Sequence, residues 1–160
     1  MGNNVDCSAV ICRDPHDVRN TYPLCSGTYP YCANANGAPD GAAYTDFLAK
    51  LNNGVSTDGG ETTPITGCFA NHCDWRLPTI VELQGLHDTT QGFCRSGGSG
   101  PCIDPAFGPT TTSYYWSATT VAGSPTYAWD QCFFGCRVEF HLKRVPSYVR
   151  AVRGGSDSQG

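Results

Sequence analysis

CDWRLPTIVEL, Cys73 to Leu83, is the stretch from which the fold is read. Pro78 fixes an extended entry, and Thr79-Ile80-Val81-Glu82 has the form of a capping box. In such a box the Thr79 hydroxyl accepts from the Glu82 amide while the Glu82 carboxylate reaches back. A helix therefore starts at Thr79, with Ile80, Leu83 and Leu86 turned to the core. Upstream, Tyr44, Phe47, Leu48 and Leu51 recur at helical spacing, which predicts a helix over Ala42 to Asn53. Asp40 is its expected N-cap, and Gly54 stands where it stops.

Downstream the period changes. Short strands are expected at roughly 114–119, 126–134, 137–142 and 147–153, separated by turn-forming residues. Such short connections favour an antiparallel meander. Two helices followed by a meander make an α+β domain, with long irregular loops between its elements. In 137–143 the alternation is regular. Val138, Phe140 and Leu142 are expected inward, and Arg137, Glu139, His141 and Lys143 outward. Trp75, Leu77, Leu83, Trp116, Phe140 and Val149 are expected to share one core, with Phe107 plugging it.

Ten cysteines occur among 160 residues, with 19 glycines and 11 prolines. No C-x-x-C pair is present, so zinc-ribbon spacing is absent and no metal site is expected. The cysteines fall into close couples: Cys7 with Cys12, Cys25 with Cys32, Cys68 with Cys73, Cys94 with Cys102, and Cys132 with Cys136. Five local disulfides and an oxidising compartment follow. The formal charge of −4 lacks the basic excess of a nucleic-acid binder. No apolar run reaches membrane-spanning length, so no membrane insertion is expected. Met1-Gly2-Asn3-Asn4 lacks the basic start and apolar stretch of an export signal. With this cysteine content we read Met1 as the start of a trimmed chain that works secreted or at a cell surface. Residues 1–41 form a disulfide-clamped irregular region, 42–155 the domain proper and 156–160 a tail, the whole being one domain.

Three blocks, Cys73–Leu83, YYWSATT (Tyr114–Thr120) and SYVRAVRGG (Ser147–Gly155), resemble a family of bacterial secreted domains with a C-type-lectin-like fold. That family includes the C-terminal domain of a collagen-like surface adhesin. It is distantly similar to formylglycine-generating (sulfatase-modifying) enzymes and to the variable proteins of retroelements. The resemblance runs from about Asp40 to Gly155, although the opening T-G-L-x-W strand of the relatives is missing. It implies a ligand-binding module for glycan or protein surfaces. A structural subunit of an extracellular appendage, or a homo-oligomeric assembly, is the alternative.

In the retroelement proteins the diversified binding residues lie between the YWS and YVR blocks. The same region here holds Arg137, Glu139, His141, Lys143 and Arg144, flanked by Tyr127, and this is the expected ligand face. Arg76, Glu82 and Arg150 lie in the shared blocks and are read as an ion pair tying the second helix to the last strand, with an anion pocket as the other reading. Calcium-dependent sugar binding is disfavoured because neither Glu-Pro-Asn nor Gln-Pro-Asp occurs. A structural calcium ion would fall at Asp14 and Asp17; no other cofactor is expected. Cys132 and Cys136 flank an expected hairpin tip, where a static disulfide is simpler than the reactive pair of a formylglycine-type oxidase. No catalytic residues are assigned.

Overall fold

The computed structural model describes residues 18–26, 32, 39–52 and 67–154. The Asp14–Asp17 segment, most of 1–41 and the tail lie outside them. The architecture is α+β: two short helical elements and a three-stranded antiparallel sheet.

The first helical element opens as a π-helical stretch, Ala43–Leu48, and runs into α1, Ala49–Leu51. Its N-cap is Ala42, with no side-chain cap. Asp40 is therefore not the cap; its carboxylate accepts from the Ser26 amide at 2.7 Å and the Ser26 hydroxyl at 2.9 Å. That choice ties the helix entry to the Tyr22–Ser26 segment. Gly41 lies so close to that segment that a Cβ would sit 2.5 Å from the Leu24 carbonyl carbon. Only glycine fits this approach.

Helix α2, Ile80–Leu86, carries the full capping box: Thr79 accepts from the Glu82 amide, and Glu82 accepts from the Thr79 amide. Strands β1 (Tyr114–Val121) and β2 (Ser124–Cys132) join through a tight turn in which Gly123 takes φ +75°. Strand β3, Glu139–Leu142, pairs with β2 and lies at the sheet edge. Between Trp116 and Thr120 the register slips, four β1 steps against two in β2. This bulge turns Ala118 and Thr119 toward α2, where Ala118 donates to the Pro78 carbonyl and Thr119 accepts from the Ile80 amide.

The segment after Ser147 is not a fourth meander strand. It makes single bridges instead: Ser147 to Tyr22, Tyr148 in parallel to Tyr115, and Val152 to Arg76.

Two buried clusters form, not one. Tyr22, Phe47, Leu77, Trp116 and Ala128 belong to the first, with Trp75 and Val149 packed against it. Leu83, Ile103, Tyr115 and Phe133 form the second, under α2. Phe140 and Phe107 belong to neither: they are 52% and 51% exposed.

Of the five expected local disulfides, four clamp loops among the described residues: Cys25–Cys32, Cys68–Cys73, Cys94–Cys102 and Cys132–Cys136, with Cα separations of 5.1–5.6 Å. The expected fifth, joining Cys7 and Cys12, lies outside the described residues.

Candidate functional site

A cleft of about 360 Å³ opens where the N-terminal segment, the first helical element, two loops and the final segment meet. Tyr22 and Phe47, Phe69 and Trp75, and Phe107, Tyr148 and Arg150 are among the residues that line it.

The Phe69–Trp75 wall is held firmly. The Cys68–Cys73 disulfide closes the loop, and inside it Ala70 and Asn71 adopt φ of 51° and 62°. Two successive non-glycine residues in the left-handed region store backbone strain, a feature that concentrates at functional loops. The Asn52 side chain clamps the Trp75 backbone from both sides, donating to its carbonyl at 2.7 Å and accepting from its amide at 2.8 Å. The indole N–H donates to the Phe69 carbonyl, and the Phe69 and Trp75 rings pack 5.3 Å apart.

Arg150 crosses to the opposite wall. Its Nη1 donates to the Phe107 carbonyl at 3.0 Å, and its Nη2 to the Pro109 carbonyl and the Thr110 hydroxyl. Its guanidinium carbon lies 5.7 Å from the centre of the Tyr115 ring. Burial pulls its pKa below the ordinary arginine range, with the Tyr115 phenol opposing. Burial also raises the Tyr115 phenol, whose oxygen accepts from the Thr111 amide. Arg150 thus stands apart from the ion pair expected of it. The sequence carries no sign of its partners, because they are two main-chain carbonyls and a threonine hydroxyl some forty residues away.

The ion pair that does form joins Arg76 and Glu82 in a two-pronged contact of 2.9 and 2.7 Å. Arg76 also donates to the Gly154 carbonyl from Nε and Nη2, tying α2 to the chain beyond Val152. The Arg76 guanidinium is the main cause that lowers Glu82 from an ordinary 4.5 to about 2. Arg153 makes a looser contact of 3.6 Å with Asp74.

The expected ligand face on 137–143 is not assembled as one surface. Arg137, Glu139 and Arg144 are exposed, but Lys143 is only 4% exposed and donates to the Thr120 hydroxyl at 2.8 Å. Desolvation lowers its pKa. His141 is paired through Nδ1 with the buried Asp130 carboxylate at 2.5 Å. Glu139 lies 4.0 Å from His141 Nε2 and accepts from the Tyr114 hydroxyl at 3.3 Å. Phe140 points the other way and packs edge-on against Trp129 and Tyr127, at 5.4 and 5.9 Å. The expected alternation does not hold: Phe140 is exposed, while Lys143 is buried against the Thr120 hydroxyl and His141 turns to the buried Asp130 carboxylate. Asp130 itself is a functional-looking residue that the strand pattern passes over, although a carboxylate inside an aromatic strand is an available signal.

Among the described residues, two groups are dense enough in donor side chains for a metal ion: His87 with Cys94 and Cys102, and Cys25 with Cys32 and Asp40. Each contains both halves of a disulfide, so neither offers the thiolates that metal binding needs. No described helix is long and apolar enough to cross a membrane.

Fold and site together define a disulfide-clamped α+β domain with an aromatic cleft at the junction of its loops. Residues 25–153, most of the chain, match the Lcl C-terminal domain, and the chain belongs to that family. This agrees with a domain associated with collagen-like surface adhesins. No curated protein and no solved structure matches the chain.

Proposed function

We propose that the chain is an adhesin-like binding module of C-type-lectin type, displayed outside the cell, whose ligand group enters the cleft between Trp75 and Arg150. One observation carries this reading: large aromatic side chains stand on rigidly held loops around a concavity, with Phe69 41% and Phe107 51% exposed at its rim. Exposed rings on fixed loops suit recognition rather than core packing. Family membership supports a surface role, and the disulfides support an oxidising compartment. The ligand is a glycan or a group on a protein surface. The reading includes no catalytic step, cofactor, nucleic acid or membrane insertion.

The test pairs Trp75→Ala with Phe107→Ala and measures binding to a glycan array and to host surfaces. Loss of binding by about tenfold or more, with the fold intact by circular dichroism, is expected of both. Full retention by both variants places the ligand elsewhere.

A structural-subunit reading has its own support. The Tyr127–Phe140–Trp129 cluster lies beside β3, whose outer edge pairs with no other strand among the described residues. Open edges next to apolar rings favour association with further chains. Concentration-dependent sedimentation that Phe140→Ser abolishes is the result this reading requires.

A further inference from the structure

Glu139 and His141 stand two positions apart on β3, a spacing that puts both side chains on one face of the sheet. Asp130 on β2 pairs in register with Glu139, and its buried carboxylate lies 2.5 Å from His141 Nδ1. An ionised carboxylate only accepts, so Nδ1 carries the proton and Nε2 keeps its lone pair. Nε2 then meets Glu139 Oε2 at 4.0 Å, one acceptor against another. The His141 and Glu139 side chains are 40% and 48% exposed, so solvent reaches both members of this pair.

A cation between two such acceptors satisfies both. A carboxylate behind one ring nitrogen, with the other left bare, is the arrangement that backs metal-bound histidines. There it fixes the tautomer and makes the ring a stronger ligand. The Tyr114 hydroxyl donates to Glu139 Oε2 at 3.3 Å, and its ring meets the imidazole edge-on at 5.1 Å. These contacts hold the pair in place. On a tetrahedral zinc ion, with bonds of about 2.0–2.1 Å, two donors lie roughly 3.4 Å apart. From 4.0 Å, closure needs about 0.6 Å of movement, which the exposed Glu139 side chain supplies.

We propose that Glu139 and His141 bind a divalent transition-metal ion of the zinc type through Oε2 and Nε2, with Asp130 as the residue that positions the imidazole. An imidazole and a carboxylate together favour such ions over calcium or magnesium, which take oxygen ligands. Two protein ligands are fewer than a closed structural site has, so coordination positions stay open for water or for a donor group on a bound surface. None of Tyr114, Asp130, Glu139 and His141 lines the aromatic cleft, so this inference is independent of the cleft reading.

Zinc chloride titrated into the full chain at neutral pH, in a buffer that does not chelate, tests it. Calorimetry measures uptake, and the imidazole nitrogen resonances of His141 report the ligating atom. Saturable binding that shifts Nε2 is expected, and excess magnesium should not displace the zinc. Asp130→Asn should weaken binding by about 10–100-fold, the usual effect of removing a group that orients a ligand. Glu139→Gln removes a ligand itself and should cost at least about tenfold. Urea denaturation of the zinc-free variants separates a lost ligand from a lost fold. If Asp130→Asn does not fold, Glu139→Gln, a change at an exposed side chain, still decides.

Zinc uptake that leaves the His141 resonances unmoved, or that Glu139→Gln leaves unchanged, overturns the proposal. So does the absence of saturable uptake, in which case a doubly protonated His141 donates to both carboxylates instead.

Discussion

His141 Nδ1, on the edge strand, lies 2.5 Å from Oδ2 of Asp130 on the neighbouring strand. Asp130 is fully buried, and its other oxygen has no partner among the described residues. Burial raises its pKa, with the His141 hydrogen bond opposing. Removing the imidazole would leave a buried carboxylate unpaired. His141→Ala should therefore cost about 2 kcal/mol, in the range of hydrogen bonds to charged groups. Urea denaturation measures this. A cost below about 0.5 kcal/mol, the size of a surface change, refutes the assignment.

Phe140 and Leu83 should behave in opposite ways. Leu83 is fully buried in the cluster under α2, so Leu83→Ala should cost about 2–5 kcal/mol. Phe140→Ser removes two edge-on ring contacts on an exposed face and should cost about 1 kcal/mol. Equal losses in thermal denaturation would return Phe140 to the core.

Glu82 makes stability depend on acid in a defined window. Its folded pKa is depressed to about 2, from an ordinary 4.5. The stabilisation is therefore complete above 4.5 and is lost as pH falls from there toward 2. The carboxylate is 37% exposed, and solvent screening limits the ion pair to about 1 kcal/mol. The difference in stability between the parent and Glu82→Gln should shrink across that window. A difference independent of pH would show that Arg76 does not hold the carboxylate.

Non-reducing peptide mapping should recover Cys25–Cys32, Cys68–Cys73, Cys94–Cys102 and Cys132–Cys136 as separate local links. The same digest tests the expected link between Cys7 and Cys12, which the described residues do not include. Replacing both Cys132 and Cys136 with serine should cost about 2 kcal/mol, as expected for a short closed loop. A fragment joining Cys25 to Cys94 would contradict the fold.

What can be read in advance is whatever the chain decides locally. The Thr79–Glu82 capping box needs only four adjacent residues, and the cysteine couples close over a few positions. The phase of β3 misleads because Val138-Phe140-Leu142 has the alternation of an inward face. Nothing within the strand reveals that Asp130, on its neighbour, claims His141. Phe107 misleads for a similar reason: an aromatic side chain favours the core until the surrounding loops enclose a cleft instead. The cleft itself leaves no mark in the sequence, since its lining comes from six separated segments. Asp40 resembles a helix cap, but Ser26 offers it two hydrogen bonds.

The bridges made by Ser147, Tyr148 and Val152 have a consequence in time. Tyr22, Tyr115 and Arg76 come from widely spaced parts of the chain, and each awaits a partner that the ribosome makes after all three. Contacts of such long sequence separation form late. A growing chain can cap α2 and pair β1 with β2, yet the aromatic cleft lacks Tyr148 and Arg150 until the end of the domain has been made. The aromatic cleft is thus completed by the last part of the domain to be synthesised, and a nascent chain that stops before Ser147 carries no finished cleft.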